Sequence, residues 1–161
     1  MHTANNIVQC LVRLFVMLGL GLLMPSMACG SAGTDYTGII RHYQNLPVRI
    51  VTKEAMRCEK AGNTDTATVL YMIVANHAAE MKTESDKEIC AYACLKIGDA
   101  CLAKADYAKA LEAYIDGLNL CESTRKRKNM ALFFNNIGKL YCLFEDFEKG
   151  EEYFRFIRHF E

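Results

Sequence analysis

The chain has 161 residues, 52% of them hydrophobic, with 19 basic and 19 acidic side chains. That length allows one domain with a real core, and the balanced charge argues against a nucleic-acid partner, which takes a basic field. The only prolines are Pro25 and Pro47, so nothing from 48 onward breaks a helix by removing a backbone donor, and helices joined by short turns are expected.

At the N-terminus, residues 14–24, LFVMLGLGLLM, form an unbroken apolar run, preceded by Arg13 and followed by the small-residue stretch PSMACGSAG. This is the layout of a secretory signal over 1–28. The run is about half the length a bilayer span needs. Extending it back to Ile7 would bury Arg13 at a cost of several kcal/mol. Two cleavages fit. Ser26 and Ala28 suit a cut after Ala28. Alternatively Cys29 accepts a lipid, since SMAC resembles a bacterial lipobox with Ser26 where leucine is usual. A lipid-anchored protein, a soluble secreted protein and an uncleaved anchor therefore stay open. The expected location is the periplasm or an envelope membrane of a Gram-negative bacterium. Residues 29–47 read as a flexible tether, through GSAG, and a short lead-in helix near 36–44.

From 48 onward the chain repeats itself. In KIGDACLAKADYAKALEAYIDGLNL, Gly98 lies twelve residues before Ala110, and Tyr114 follows four later. Gly138, Gly150 and Phe154 keep those intervals 40 residues on, and Ala55, Ala67 and Tyr71 keep them 43 residues earlier. Such a period signals a solenoid of helix pairs. Small residues at Ala55, Gly98 and Gly138, with Ala67, Ala110 and Gly150, let paired helices approach closely. Tyr71, Tyr114 and Phe154 are expected to fill the gaps between pairs. Asn63, Asp106 and Asp146 are expected to cap each second helix, and Ser85 with Glu88 to form a capping box. Gly62 suits a left-handed turn; Ala105 and Glu145 hold that place later, so those turns are strained or differently shaped. Helices are expected at about 48–61, 65–80, 86–103, 106–121, 126–143 and 147–160.

These matched positions resemble the tetratricopeptide repeat family, in its extended-helix subtype, over about 48–160. The usual proline after each second helix is missing. The resemblance implies an all-α, antiparallel helix-pair solenoid of about three repeats, near 48–82, 86–122 and 126–161, following the signal segment. It also implies a concave groove on the first helices that binds an extended or helical peptide. By register, the groove would carry Arg49, Lys53 and Met56, then Tyr92, Lys96 and Asp99, then Asn135, Asn136 and Lys139. Asn136 stands where family members place an asparagine that grips peptide backbone. Leu95 and Asp99 replace the Lys and Asn of the family's carboxylate clamp, which speaks against binding a C-terminal carboxylate. The last helix, with Tyr153, Phe156 and Ile157, is expected to lack the polar cap a solenoid needs, leaving it open to a partner, to a second copy, or to further chain.

Chemistry is sparse. Of eight cysteines, Cys58, Cys90, Cys94, Cys101, Cys121 and Cys142 follow the signal and its end. They read first as packing residues. A disulfide from Cys58 to the helix over 86–103 is the alternative, and no histidine spacing supports a metal. STRKRKN, 123–129, is a solvated turn or a docking patch for an acidic partner or lipid headgroups. No nucleophile–base pair, phosphate loop or paired carboxylate stands out, so neither enzyme activity nor a cofactor is expected. The expected function is a non-catalytic protein- or peptide-binding scaffold of the envelope. The layout also looks like the N-terminal sensor part of certain bacterial signalling and transcription-regulatory proteins. The alternatives are a standalone lipoprotein adaptor of an envelope complex and a thiol-based envelope enzyme.

Overall fold

The computed structural model describes residues 35–124 and 127–158. The signal segment 1–28 and Cys29 lie outside the described residues, as do Arg125, Lys126 and 159–161. The chain divides after Thr34, and every described residue belongs to the second unit, which starts at Asp35.

The regular structure of the described residues is entirely helical. Helices α1 (Thr37–Tyr43), α2 (Val48–Lys60) and α3 (Thr64–Asn76) are followed by a 3-10 turn at Ala78–Glu80. Then come α4 (Glu84–Ala103), α5 (Tyr107–Thr124), α6 (Arg127–Leu143) and α7 (Phe147–Arg158). From α2 on, each helix packs on the next, and α2 also touches α4. The third helix stops at Asn76 instead of running to 80, because the chain tightens into the 3-10 turn. The fourth starts two residues earlier than expected. Its cap is Thr83, whose hydroxyl accepts from Asp86 N at 3.1 Å and donates to Asp86 Oδ2 at 2.6 Å. Ser85 is thus inside the helix, and the expected Ser85–Glu88 box is replaced by Thr83–Asp86.

Amphipathic spacing explains the packing. In α2 the buried positions are Val48, Val51, Thr52, Ala55 and Cys58, a single helical stripe. The core forms two clusters. One holds Val51, Leu70, Tyr71, Val74 and Cys90; the other holds Tyr114, Cys121, Phe133, Ile137 and Leu140. Ile97 of α4 and Leu120 of α5 pack against both.

Three turns, α2–α3, α4–α5 and α6–α7, are built alike. Gly62, Ala105 and Glu145 take φ of 80°, 57° and 61°. The next residue's N–H reaches back to close each helix: Asn63 to Cys58 O at 2.9 Å, Asp106 to Cys101 O at 2.9 Å, Asp146 to Tyr141 O at 3.0 Å. The later turns are therefore strained, and they keep the shape of the first. Asp146 caps α7 through Lys149 N at 3.2 Å, and Asp106 lies 3.4 Å from Lys109 N. Asn63 makes no side-chain cap, contrary to expectation. Its ψ of 65° lies outside the extended region that a capping residue ordinarily adopts.

The small residues face aromatic rings at close range. A Cβ on Gly98 would lie 2.3 Å from the Tyr114 ring, and one on Gly138 would lie 2.7 Å from Phe154. Both rings therefore sit over the glycine of their own hairpin, whereas the expectation placed them between pairs. A close contact between the second and third hairpins is Gly117 of α5 under Phe133 of α6, where an added Cβ would meet the ring at 2.3 Å. Ala55, Ala67, Tyr71 and Ala110 are buried, as is Gly150, while Phe154 is half-buried. Tyr153 and Ile157, expected to lie uncovered, pack against the second cluster; Tyr153 stacks on Tyr141 with centroids 5.4 Å apart. Phe156 stacks on Phe134 at 5.2 Å yet stays 44% exposed.

Candidate functional site

The expected groove residues fall on α2, α4 and α6. Arg49, Lys53, Met56, Asp99 and Lys139 are exposed, and Tyr92, Lys96, Asn135 and Asn136 are half-buried. Of these, Arg49, Lys96 and Asp99 make polar contacts with neighbouring helices, each to a residue outside the expected groove. Arg49 lies across the start of α4: its Nε is 3.2 Å from Asp86 Oδ1, and Nη2 donates to Ser85 Oγ at 2.8 Å. Lys96 Nζ donates to Glu59 Oε1 at 2.7 Å, and the Tyr71 hydroxyl donates to Glu59 Oε2 at 2.9 Å. Tyr92 meets Tyr71 edge-on at 5.9 Å, and Lys96 Nζ sits 5.6 Å from the centre of the Tyr92 ring. Asp99 Oδ1 accepts the Tyr114 hydroxyl at 2.8 Å. Among the described polar contacts, none joins Asn135, Asn136 or Lys139 to the residues of α2 and α4.

Glu59 is the residue the sequence reading missed. It sits one turn past Ala55 on α2, and it gathers Lys96 from α4 and Tyr71 from α3. Its only sequence signal is an acid directly after a packing position, Cys58, and four residues after Ala55. That pattern is common on amphipathic helices. The hydrogen bond from Lys96 holds the Glu59 carboxyl below its ordinary pKa against the opposing effect of burial. The same bond raises Lys96. Burial, helped by the bond to Glu59, pushes the Tyr71 hydroxyl far up, and burial with the bond to Asp99 does so for Tyr114. At neutral pH the network around Glu59 therefore holds an ionised carboxylate, an ammonium and a neutral phenol.

Beside this network, between the end of α2, the start of α3 and the second half of α4, opens a cleft of about 250 Å³. Ala67, Ala100 and Ala103 supply apolar wall, and Glu59, Asp65, Lys96, Asp99 and Lys104 supply charge. That is smaller than the roughly 300–1,000 Å³ of pockets for drug-sized ligands.

All six cysteines after Cys29 are free thiols, so the Cys58 disulfide is not formed; Cys58 Sγ has Glu54 Oε1 at 3.9 Å. Burial pushes the Cys90, Cys94 and Cys121 thiols up to about 11, 12 and 11. Cys90 Sγ donates to the Val74 carbonyl at 3.4 Å. Among the described residues no group of three or more His, Cys, Asp or Glu side chains could hold a metal ion. No described helix is long and apolar enough to cross a membrane.

No family model and no curated protein matches this chain.

Proposed function

We propose that the helix pairs α2–α3, α4–α5 and α6–α7 are tetratricopeptide-like repeats of a solenoid. On this reading the protein is an exported, non-catalytic scaffold that binds a peptide segment of an envelope protein across α2, α4 and α6. The observation that carries the repeat reading is the recurrence of one turn geometry at Gly62, Ala105 and Glu145. Two of these three residues do not favour that geometry. A shared packing plan therefore supports the reading better than local sequence does. The binding face follows from the same register. Lys53 and Met56 of α2 and Lys139 of α6 are exposed, and the amides of Asn135 and Asn136 on α6 are half-buried. A side-chain amide both donates and accepts, which suits it to holding an extended backbone. The buried, raised thiols support packing roles over a thiol-based activity. Export rests on Arg13, the run at 14–24 and the small residues before Cys29.

The test is selection of peptides from a displayed library by the full-length chain in mild detergent, followed by binding to variants. Asn136→Ala and Lys53→Ala are expected to weaken selected peptides by about tenfold each with unchanged helicity. Peptides that bind these variants as tightly as the wild type would overturn the assignment of the face. Lipid on Cys29, read by mass spectrometry of the membrane-extracted protein, distinguishes an anchored scaffold from a secreted one.

A further inference from the structure

Charge is unevenly spread along the chain. Residues 36–60 carry five basic side chains against two acidic ones, a net charge of +3. Residues 61–161 carry thirteen against sixteen, a net charge of −3. Such asymmetry directs an anionic partner to the positive end. In α2 the bases Arg49, Lys53, Arg57 and Lys60 recur three or four residues apart, so they fall within about 80° of arc. All four are exposed, on the side opposite the buried stripe that runs from Val48 to Cys58. Ile50 and Met56 flank this row and are 53% and 40% exposed. Asp86 offsets Arg49 at 3.2 Å, and Glu54 offsets Arg57 at 2.9 Å. Lys53 and Lys60 make no ion pair among the described residues, so the face keeps two uncompensated cations.

A basic row edged by exposed apolar side chains has the chemistry of a helix face that rests on charged lipid headgroups. The position of α2 in the chain favours lipid over an acidic protein. Five residues separate Cys29 from Asp35, so a lipid on Cys29 would hold the start of α1 within about 20 Å of a bilayer. Each cation kept that near the surface is attracted by anionic headgroups.

We propose that the exposed face of α2 lies against an anionic phospholipid surface, with Lys53 and Lys60 on the headgroups and Ile50 and Met56 at the interface. The inference rests on the anchored reading of the N-terminus for what brings the chain to lipid. It takes the α2 end of the proposed peptide face for the bilayer and leaves α4 and α6 to a peptide.

The experiment dialyses the full-length chain from detergent into vesicles of phosphatidylcholine, with or without phosphatidylglycerol. Flotation reads attachment. Acetylation of lysines, followed by mass spectrometry, reads the face. Lys53 and Lys60 are expected to react at least fivefold more slowly on the phosphatidylglycerol vesicles, with Lys139 of α6 alike on both. Salt at 0.5 M is expected to remove the difference. In the double variant Lys53→Gln, Lys60→Gln, peroxide oxidation of Met56 replaces the lysine readout. Each lost lysine is expected to lower the protection of Met56 by phosphatidylglycerol about fivefold. A chain that floats with both vesicles while its lysines react equally keeps the anchored reading and overturns the inference. A chain that floats only with phosphatidylglycerol, with Lys53 and Lys60 slowed, keeps the inference and overturns the anchor. Flotation with neither, or Met56 protection that survives the double substitution, overturns the inference. So does slowing of the two lysines by a hexaglutamate peptide on phosphatidylcholine vesicles without slowing by phosphatidylglycerol, which would assign the face to an acidic protein segment.

Discussion

The second and third hairpins follow one plan with different burial. In α4–α5, Tyr114 is fully buried over Gly98 and its hydroxyl is anchored on Asp99. In α6–α7, Phe154 occupies the same place over Gly138, half-exposed and without a hydroxyl. The difference teaches that the register fixes where a ring goes, while the layers on either side decide how much that ring stabilises. Among the described helices, α4–α5 is packed by α3 on one side and α6 on the other, whereas α6–α7 is packed by α5.

Substitution of the two glycines separates the hairpins most. Gly98→Ala forces a methyl into the face of an immovable ring. The overpacking cost exceeds the ~1 kcal/mol gained in helix propensity, for a net loss of about 2 kcal/mol. Gly138→Ala meets a ring that can swing outward, and its net effect is expected near zero. Urea unfolding followed by circular dichroism reads both, and equal losses would break the comparison. The hydroxyl comes next. Tyr114→Phe is expected to cost about 1 kcal/mol, because Asp99 loses a donor yet remains open to water. Phe154→Tyr in the outer hairpin is expected to stay within about 0.5 kcal/mol.

The turns sharpen the comparison by showing what the hairpins share. Ala105→Gly and Glu145→Gly relieve a left-handed residue at the price of a freer unfolded chain. Each is expected to stabilise by about 0.5–1 kcal/mol, and Gly62→Ala to destabilise by a similar amount. A loss on Ala105→Gly would mean that the turn is held some other way. The smallest effect concerns pH. Glu59 titrates below its ordinary 4.5 in the folded protein. Its contribution is therefore present above the unfolded value and lost as pH falls through the lower folded one. Lys96→Met removes the first cause of that shift. The variant is expected to show a smaller drop in thermal midpoint between pH 6 and pH 3 than the wild type. An unchanged acid limb would remove Glu59 from the account.

The positions of the helices were legible in the sequence because the matched small and aromatic residues and the turn acids recur at fixed intervals. The interior detail was less so. Ser85–Glu88 and Thr83–Asp86 both have capping-box spacing, and sequence alone does not say which threonine or serine lies outside the first turn. Asn63 has the chemistry of a cap, but its backbone leaves it outside the usual capping geometry. Spacing gives Tyr114 and Phe154 a face and not the helix that face meets, so the expected place between hairpins differs from the observed one over their own glycines. Register alone defines the expected groove. It named Lys96 and Asp99 but not Glu59, because a network is defined by three helices meeting, which no single helix records.

Ile97 and Leu120 pack against both core clusters. Neither cluster can be dismantled without stripping a wall from the other. The described helices are therefore expected to unfold as one cooperative event. Amide hydrogen exchange should then give the slowest protons of α3 and of α6 the same opening free energy, although those two helices lie in different clusters.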